Sequence, residues 1–355
     1  MKLSYLGYLG FGGLLGFWEG RFFSLFFLFL LFLADIFPKR GKGLLKIILL
    51  FIITAAFISI SYFNIMPLTI ILYAIPLWMV GFLSVTAFYP PDRNYPTADV
   101  MNIIRDPFTK ESLEFNEENM EIINRNNGAV YRIVNNIPVM MDESKLNGLN
   151  KKYSAFYDKF AVFYDISQKM IYSVFYGGEK RKRMEFLTKL EIKAGDTVLE
   201  TSCGTGGNLH YLPKNAAYFG LDISKGMLSV CLRNLRRWGK KAFLVQGEAE
   251  NLPYNDASFD AVIHYGGINF FNDKKKAIDE MIRVAKPGAR LLVADETEQV
   301  AEASKGIPGL EGIYSNKGYD KINVPTDLIP RQMQDIKCDI LFDGTIYCIT
   351  FKKPL

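Results

Sequence analysis

Glu200 and Asp222 stand 22 positions apart, each at the end of a short apolar run, and the stretch between them opens with Ser202-Cys203-Gly204-Thr205-Gly206-Gly207. Glycines at a strand-to-helix turn permit positive φ and close backbone approach, which leaves amide hydrogens where a ligand can meet them. A carboxylate at the end of a second strand, about 20 residues beyond such a loop, is placed to hold a ribose diol with both oxygens. The pattern is that of a site for a nucleoside-bearing cofactor. Other chemistries are poorly supplied. The chain has two histidines, His210 and His264, and four widely spaced cysteines, Cys203, Cys231, Cys338 and Cys348, without disulfide or metal-ligand spacing. The cysteines read as reduced thiols of a cytosolic compartment.

The elements that must position these residues follow in alternation. "DTVLE", ending at Glu200, is a first strand, the glycine turn leads into a helix start at "NLHYLPKN", and "AAYFGLDIS" is a second strand ending at Asp222. A third strand ends near Glu248 and a fourth near His264, and "KKKAIDEMIRVAKPGARLLVADE" supplies a helix, a Lys-Pro-Gly turn and a fifth strand. Alternation at these lengths gives an α/β fold, a doubly wound parallel sheet with ligands at the carboxyl ends of its strands. "DIKCDILFDGTIYCITFKK" adds two strand-like runs joined at Asp343-Gly344, a hairpin signal. Nicotinamide binding is disfavoured, because Gly204, Gly206 and Gly207 lack the third glycine of G-x-G-x-x-G.

On these motifs the chain from residue 153 to 355 resembles class I S-adenosylmethionine-dependent methyltransferases, nearest in style to ubiquinone and menaquinone C-methyltransferases. The match runs in order through "AVFYD" (161–165), "LETSCGTG" (199–206), "GLDIS" (220–224) with Met227, "GEAENLPY" (247–254), "FDAVIHYGGINFF" (259–271) and "RVAKPGARLLV" (283–293). Ser202 stands where the first glycine is usual, and Glu248 where Asp is commoner. The resemblance implies a Rossmann-like sheet with a C-terminal antiparallel hairpin and S-adenosyl-L-methionine as cofactor. It implies that Glu200, Gly204 and Gly206 hold the methionine part, with Thr201 and Ser202 in the same loop, and that Asp222 holds the ribose. Ile223 and Met227 would face the adenine, Glu248 and Ala249 its edge, and Tyr164 and Asp165 would close over it. Met227 reads nearly as well as helix packing. Methyl transfer from a sulfonium is an in-line displacement that needs positioning above all, and some acceptors also need a base. His264, at the fourth strand's end, is the candidate catalytic base or else a cofactor or backbone contact. Tyr157, Tyr164 and Tyr265 are weaker candidates that read better as pocket wall.

The first ninety residues differ in character. Apolar runs over residues 3–18, 22–37, 44–63 and 66–89 carry most of the apolar excess of a chain that is 49% hydrophobic, and the last two match the roughly 20 residues that cross a hydrocarbon core. Residues 1–90 are therefore read as membrane helices. The first two runs, divided by Glu19 and Arg21, form one interrupted crossing, a tight pair or an interfacial piece. Lys39, Arg40, Lys42 and Lys46 cluster before the third run and keep that loop cytoplasmic. Two crossings later the chain is cytoplasmic again, so an integral membrane protein with its catalytic domain on the cytoplasmic side is expected. Residues 91–99 form a Pro-rich linker.

Residues 100–145 alternate short apolar runs with Asn/Gly clusters, a β-rich pattern. They resemble the small zinc-ribbon family that accompanies and activates methyltransferases, whose two Cys-x-x-Cys pairs here become Asp106, Thr109, Asn124 and Asn127, ahead of a matching Tyr131, Ile133, Ile137, Pro138 and Val139. These four make a poor tetrahedral zinc site without thiolate or imidazole, so a metal-free copy, or a plain spacer, is expected.

"HYGGIN" after the fourth strand replaces the Asn/Asp-Pro-Pro-Tyr motif of nucleobase and amide methyltransferases, which disfavours nucleic acid as partner. A net charge of +5 is too mild to argue for it. Membrane spans, the aromatic stretch over residues 153–176 and the basic run Lys180–Arg183 favour a lipid, isoprenoid quinone or other hydrophobic small molecule as acceptor, with the basic run docked on anionic headgroups or simply solvated. A soluble metabolite or a protein is the nearer variant. A noncatalytic cofactor-binding or scaffolding membrane protein is the reading from a different class.

Overall fold

The computed structural model describes residues 96–175, 177–304 and 321–355. The four apolar runs and the basic loop from Lys39 to Lys46 lie outside the described residues. Among the described residues no helix is long and apolar enough to cross a membrane.

A short helix, α1 (Ala98–Ile103), capped by Thr97, leads into a four-stranded antiparallel sheet of β1 (Glu114–Asn116), β2 (Glu121–Ile123), β3 (Val130–Val134) and β4 (Ile137–Pro138). Asp106, Thr109, Asn124 and Asn127 converge at the base of its turns. Asp106 Oδ2 accepts from Asn124 Nδ2 at 2.8 Å and from Asn127 Nδ2 at 3.4 Å, and Asn124 Nδ2 also reaches Thr109 Oγ1 at 3.3 Å. Burial pushes the Asp106 carboxyl up, but hydrogen bonds from Asn124, Thr109 and Phe108 outweigh it and leave the group below its usual value. The small sheet is joined to the rest of the protein through backbone bridges from Ile104 to Tyr254 and from Val139 to Gln246.

The long helix α2 (Gly148–Phe175) and α3 (Glu179–Leu187) precede the main sheet, whose first strands are β5 (Thr197–Thr201) and β6 (Ala217–Asp222). Then come α4 (Lys225–Trp238), β7 (Phe243–Gln246), β8 (Phe259–Tyr265), α5 (Lys274–Val284), β9 (Ala285–Glu296), α6 (Glu298–Ser304), β10 (Gln334–Leu341) and β11 (Ile346–Lys352). The sheet order is β10-β11-β9-β8-β5-β6-β7, parallel throughout except for the two β11 pairings. Strand order reverses between β5 and β8, and a crevice opens at such a switch point beyond the carboxyl ends.

Side chains of one strand alternate between faces, which is why these strands are apolar throughout. Val198, Leu244, Ile263 and Leu292 pack with Phe186 of α3 and Leu228 and Leu235 of α4, whereas Leu199, Leu221, Val262 and Leu291 pack with Ile278 and Met281 of α5 and with Ile122 and Tyr131 of the small sheet. The small sheet thus shares one core with the larger one.

Two local expectations are corrected. No helix starts at Asn208: residues 203–212 are turns, tied by single bonds such as His210 N to Gly206 O at 3.1 Å, and Pro213 bars continuation. The Lys-Pro-Gly segment is no separate turn but the first part of β9, bent at Gly288 with φ of 78°.

Candidate active site

The crevice holds a cavity of about 250 Å³. At one end it is bounded by Ser202, Gly204, Asp222, Ile223, Met227, Ala249 and Glu250, and at the other by Tyr172, Lys182, Tyr265, Glu296 and Ile346. Tyr157 and Tyr164 of α2 also line it.

The loop after β5 is shaped by three left-handed residues, Ser202, Gly204 and Gly206, with φ of 62°, 54° and 81°. Ser202 therefore adopts the conformation that a glycine usually supplies. A side chain at Gly206 would meet Cys231 Sγ, 2.7 Å from its Cβ position, so α4 and the loop approach too closely for anything larger. Gly207 answers to a different neighbour: the Arg183 guanidinium fills the place of its missing Cβ. Arg183 Nη1 donates to Asn208 Oδ1 at 2.6 Å, and Asn208 Nδ2 donates to Glu200 Oε1, also at 2.6 Å.

Glu200 is buried, and its Oε2 has no hydrogen-bond partner among the described residues. Burial pushes its carboxyl up to about 8, against the pull of Asn208 and Arg183. Asp222 lies on the cavity wall, where Oδ2 accepts from Gly204 N at 2.8 Å and Oδ1 from Ser224 N at 2.9 Å, leaving further lone pairs on each oxygen. Burial raises it to about 6. An orphaned buried carboxylate oxygen, a second carboxylate on the wall and an open left-handed loop fit an ammonium, a diol and the chain between them. The residues present thus fit S-adenosylmethionine, with Asp222, Ile223 and Met227 on the cavity wall and the buried Glu200 behind it.

The structure places other expected residues differently. Asp165 is not in the wall. It accepts from Thr205 Oγ1 at 2.5 Å and from Asn234 Nδ2 at 2.6 Å, and so fastens α2 to the loop and to α4. Its neighbour Tyr164 is the residue that faces the cavity. Glu248 accepts from Asn150 Nδ2 at 3.1 Å, but Glu250, held by the same amide at 3.0 Å, lines the cavity. Thr201, at hydrogen-bond distance from Ile263 O and from His264 Nδ1, lies behind the wall, as does Gly206.

His264 is the largest correction. Its ring is fully buried, is absent from the cavity wall and packs edge-on to Phe271 at 5.1 Å. Its Nε2 has no partner among the described residues, and burial lowers the ring to about 3, so it is neutral and lies behind the wall. The basic run is corrected as well: Lys180 and Arg181 are exposed, but Lys182 and Arg183 are buried and cannot both face headgroups.

Several site residues escaped sequence reasoning. Asp158 accepts from Ser224 Oγ at 2.7 Å and Gly226 N at 2.8 Å, docking α2 across the start of α4. Arg183, Asn208, Glu250 and Lys182 were missed with it. Gly207 beside the loop was the one available signal, a position whose need for glycine implied an intruding neighbour.

The sheet order with β11 antiparallel, together with this crevice, defines the fold of a class I methyltransferase. Residues 199–293 match the family described as "Methyltransferase domain". The chain is 35% identical over 121 residues to phthiotriol/phenolphthiotriol dimycocerosates methyltransferase 1 of Mycobacterium ulcerans, covering 33% of this chain and 44% of that one. It is 31% identical over 161 residues to demethylmenaquinone methyltransferase of Paenarthrobacter aurescens, covering 45% and 61%. The chain therefore spans less than two thirds of either relative. Among solved structures, phosphoethanolamine N-methyltransferase 2 of Haemonchus contortus is similar with a TM-score of 0.47 and 16% identity, over 61% of this chain and 62% of that one.

Proposed function

We propose that this chain transfers the methyl group of S-adenosylmethionine to a hydrophobic acceptor, a lipid, an isoprenoid quinone or a similar small molecule, at a membrane that residues 1–90 tether it to from the cytoplasmic side. The observation that carries the reading is the cavity itself, which runs from Asp222 at the end of β6 and the loop after β5 to a wall of tyrosines, Phe270, Phe271, Val300 and Ile346. Such a wall suits an apolar ring or chain. The names of both curated relatives, one for phthiotriol dimycocerosates and one for demethylmenaquinone, favour the same kind of acceptor.

When bound, S-adenosylmethionine supplies a methyl group already activated on a sulfonium. The chain's part is to hold and to align. Glu200 would pair the cofactor's ammonium, and Asp222, held by Gly204 and Ser224, would accept from the ribose hydroxyls. Tyr157 and Tyr164 line the cavity from α2, where they would cover the bound cofactor. In this reading the small sheet, which shares a core with the main one, braces the β7 side of the site.

The test is to incubate full-length protein in vesicles of total membrane lipid with S-adenosylmethionine labelled on its methyl group. Label should appear in the solvent-extractable lipid fraction. Label confined to water-soluble metabolites or to protein would overturn the acceptor class. No transfer by protein that binds the cofactor would overturn the activity.

A further inference from the structure

The far end of the cavity contains a cation in an unusual place. Lys182 is 5% exposed and lines the cavity from α3. Its ammonium lies 4.7 Å from the ring centre of Tyr172 and 4.8 Å from that of Phe342, on two different elements. A lysine charge is costly to desolvate, and here it is set on the wall of the cavity between two rings that favour a cation. We propose that Lys182 is the catalytic base of this enzyme, taking the proton from an acidic hydroxyl of the acceptor and holding the resulting oxyanion against the methyl donor.

The inference rests on the methyltransferase reading above and adds the acceptor's chemistry to it. In the step, the hydroxyl's O–H bond breaks and its proton passes to the neutral amine of Lys182, which becomes an ammonium. The electron pair left on oxygen, or delocalised onto a conjugated carbon, forms the new bond to the methyl carbon. The carbon–sulfur bond breaks, and its electrons remain on sulfur as the neutral thioether. No further reactant is needed.

The surroundings suit a base. Burial is the main influence on Lys182 and lowers its amine to about 7, with Glu296 pulling upward, Arg183 downward and Glu185 weakly upward. Both the free amine needed to accept a proton and the ammonium needed to hold an anion are therefore accessible near neutral pH. The other titratable groups at this end serve less well. Tyr172 and Tyr265 are pushed above their usual range by burial and remain protonated. Asp295 accepts from Gly267 N and Asn269 N at Oδ2, at 3.1 and 2.9 Å, and from Glu296 N at Oδ1, at 2.9 Å, so each oxygen is already held by backbone.

The probe is a para-nitrophenol carrying a long alkyl chain, whose absorbance reports its ionisation, bound to full-length protein in the presence of S-adenosylhomocysteine. Wild type should lower the probe's ionisation midpoint by about one pH unit or more, as an adjacent cation does. Lys182→Met should raise the midpoint instead, and should weaken binding of the anion roughly ten- to a hundredfold. Lys182→Arg, permanently charged, should still bind the anion but should show no methyl transfer to membrane lipid at neutral pH. An unchanged midpoint in Lys182→Met, or full transfer by Lys182→Arg, would overturn the proposal. Calorimetric binding of S-adenosylmethionine separates the two readings: loss of binding in wild type would sink the methyltransferase reading, whereas binding and lipid labelling that survive in Lys182→Met would sink only the role of Lys182.

Discussion

The cofactor end of the cavity is made of backbone and two carboxylates, whereas the acceptor end is made of side chains that converge from distant parts of the chain. At the first end, Ser202 and Gly204 follow β5 directly in the loop, Asp222 ends the neighbouring strand β6, and Gly204 N donates to Asp222 across the two. At the second, Lys182 of α3 meets Tyr172 of α2 and Phe342 from the turn before β11. Local chain order builds the one, and tertiary packing builds the other. Damage at the first should therefore appear in cofactor affinity, and damage at the second in acceptor chemistry alone.

The sharpest way to break this division is Asp222→Ala, measured by calorimetry on the full-length protein. It removes a charged acceptor that would take two ribose hydroxyls, each bond contributing about 1.5 to 3 kcal/mol, so affinity for S-adenosylmethionine should fall at least about a hundredfold. Tyr265→Phe, at the other end, should leave that affinity unchanged. A fall in both would mean that the two ends are not separable.

The acidity of Glu200 tests the same end without a ligand. Its folded carboxyl is raised from 4.5 to about 8, so the native state holds a proton that the unfolded state releases. Its stabilising contribution is present below pH 4.5 and is lost as pH rises through 8, on the order of a few kcal/mol at most. Urea midpoints recorded across this window should decline in wild type and decline less in Glu200→Gln. Parallel curves would remove Glu200 from the account.

A smaller effect is expected at Asn208, whose amide links Arg183 to Glu200. Asn208→Ala should weaken S-adenosylmethionine roughly tenfold by leaving both partners poorly held. Its partner Arg183 shows why part of the site was hidden from sequence reasoning. "EKRKR" looks like a solvated charge run, and only the packing of α3 on β8, with Phe186 stacked on Tyr265 at 4.4 Å, turns Lys182 and Arg183 inward. The strands, their order of appearance and the acids at their ends were readable because each depends on a few adjacent residues. Glu250 in place of Glu248 was not, since a single turn of helix after β7 decides which of the two faces the cavity.

The smallest effect should come from His264. Its ring stays neutral behind the wall, so His264→Gln should alter methyl transfer by only a few-fold and should leave the neutral-pH limb of the rate profile in place. Its folded value of about 3 against an ordinary 6.5 means that the unfolded state binds the extra proton. Stability should therefore be lost as pH falls below 6.5, and the variant should lose less. A missing neutral limb in His264→Gln would return the base to β8 and contradict the division between the two ends.

The central claim is that an S-adenosylmethionine molecule lies between Glu200 and Asp222. It is tested most directly by titrating the full-length protein with S-adenosylmethionine near pH 7 in two buffers of different ionisation heat. Glu200, protonated before binding, must ionise to pair an ammonium, so binding should release up to about one proton, and Glu200→Gln should bind more weakly with that release gone. No binding by the wild type, or the same proton release from Glu200→Gln, would contradict the account.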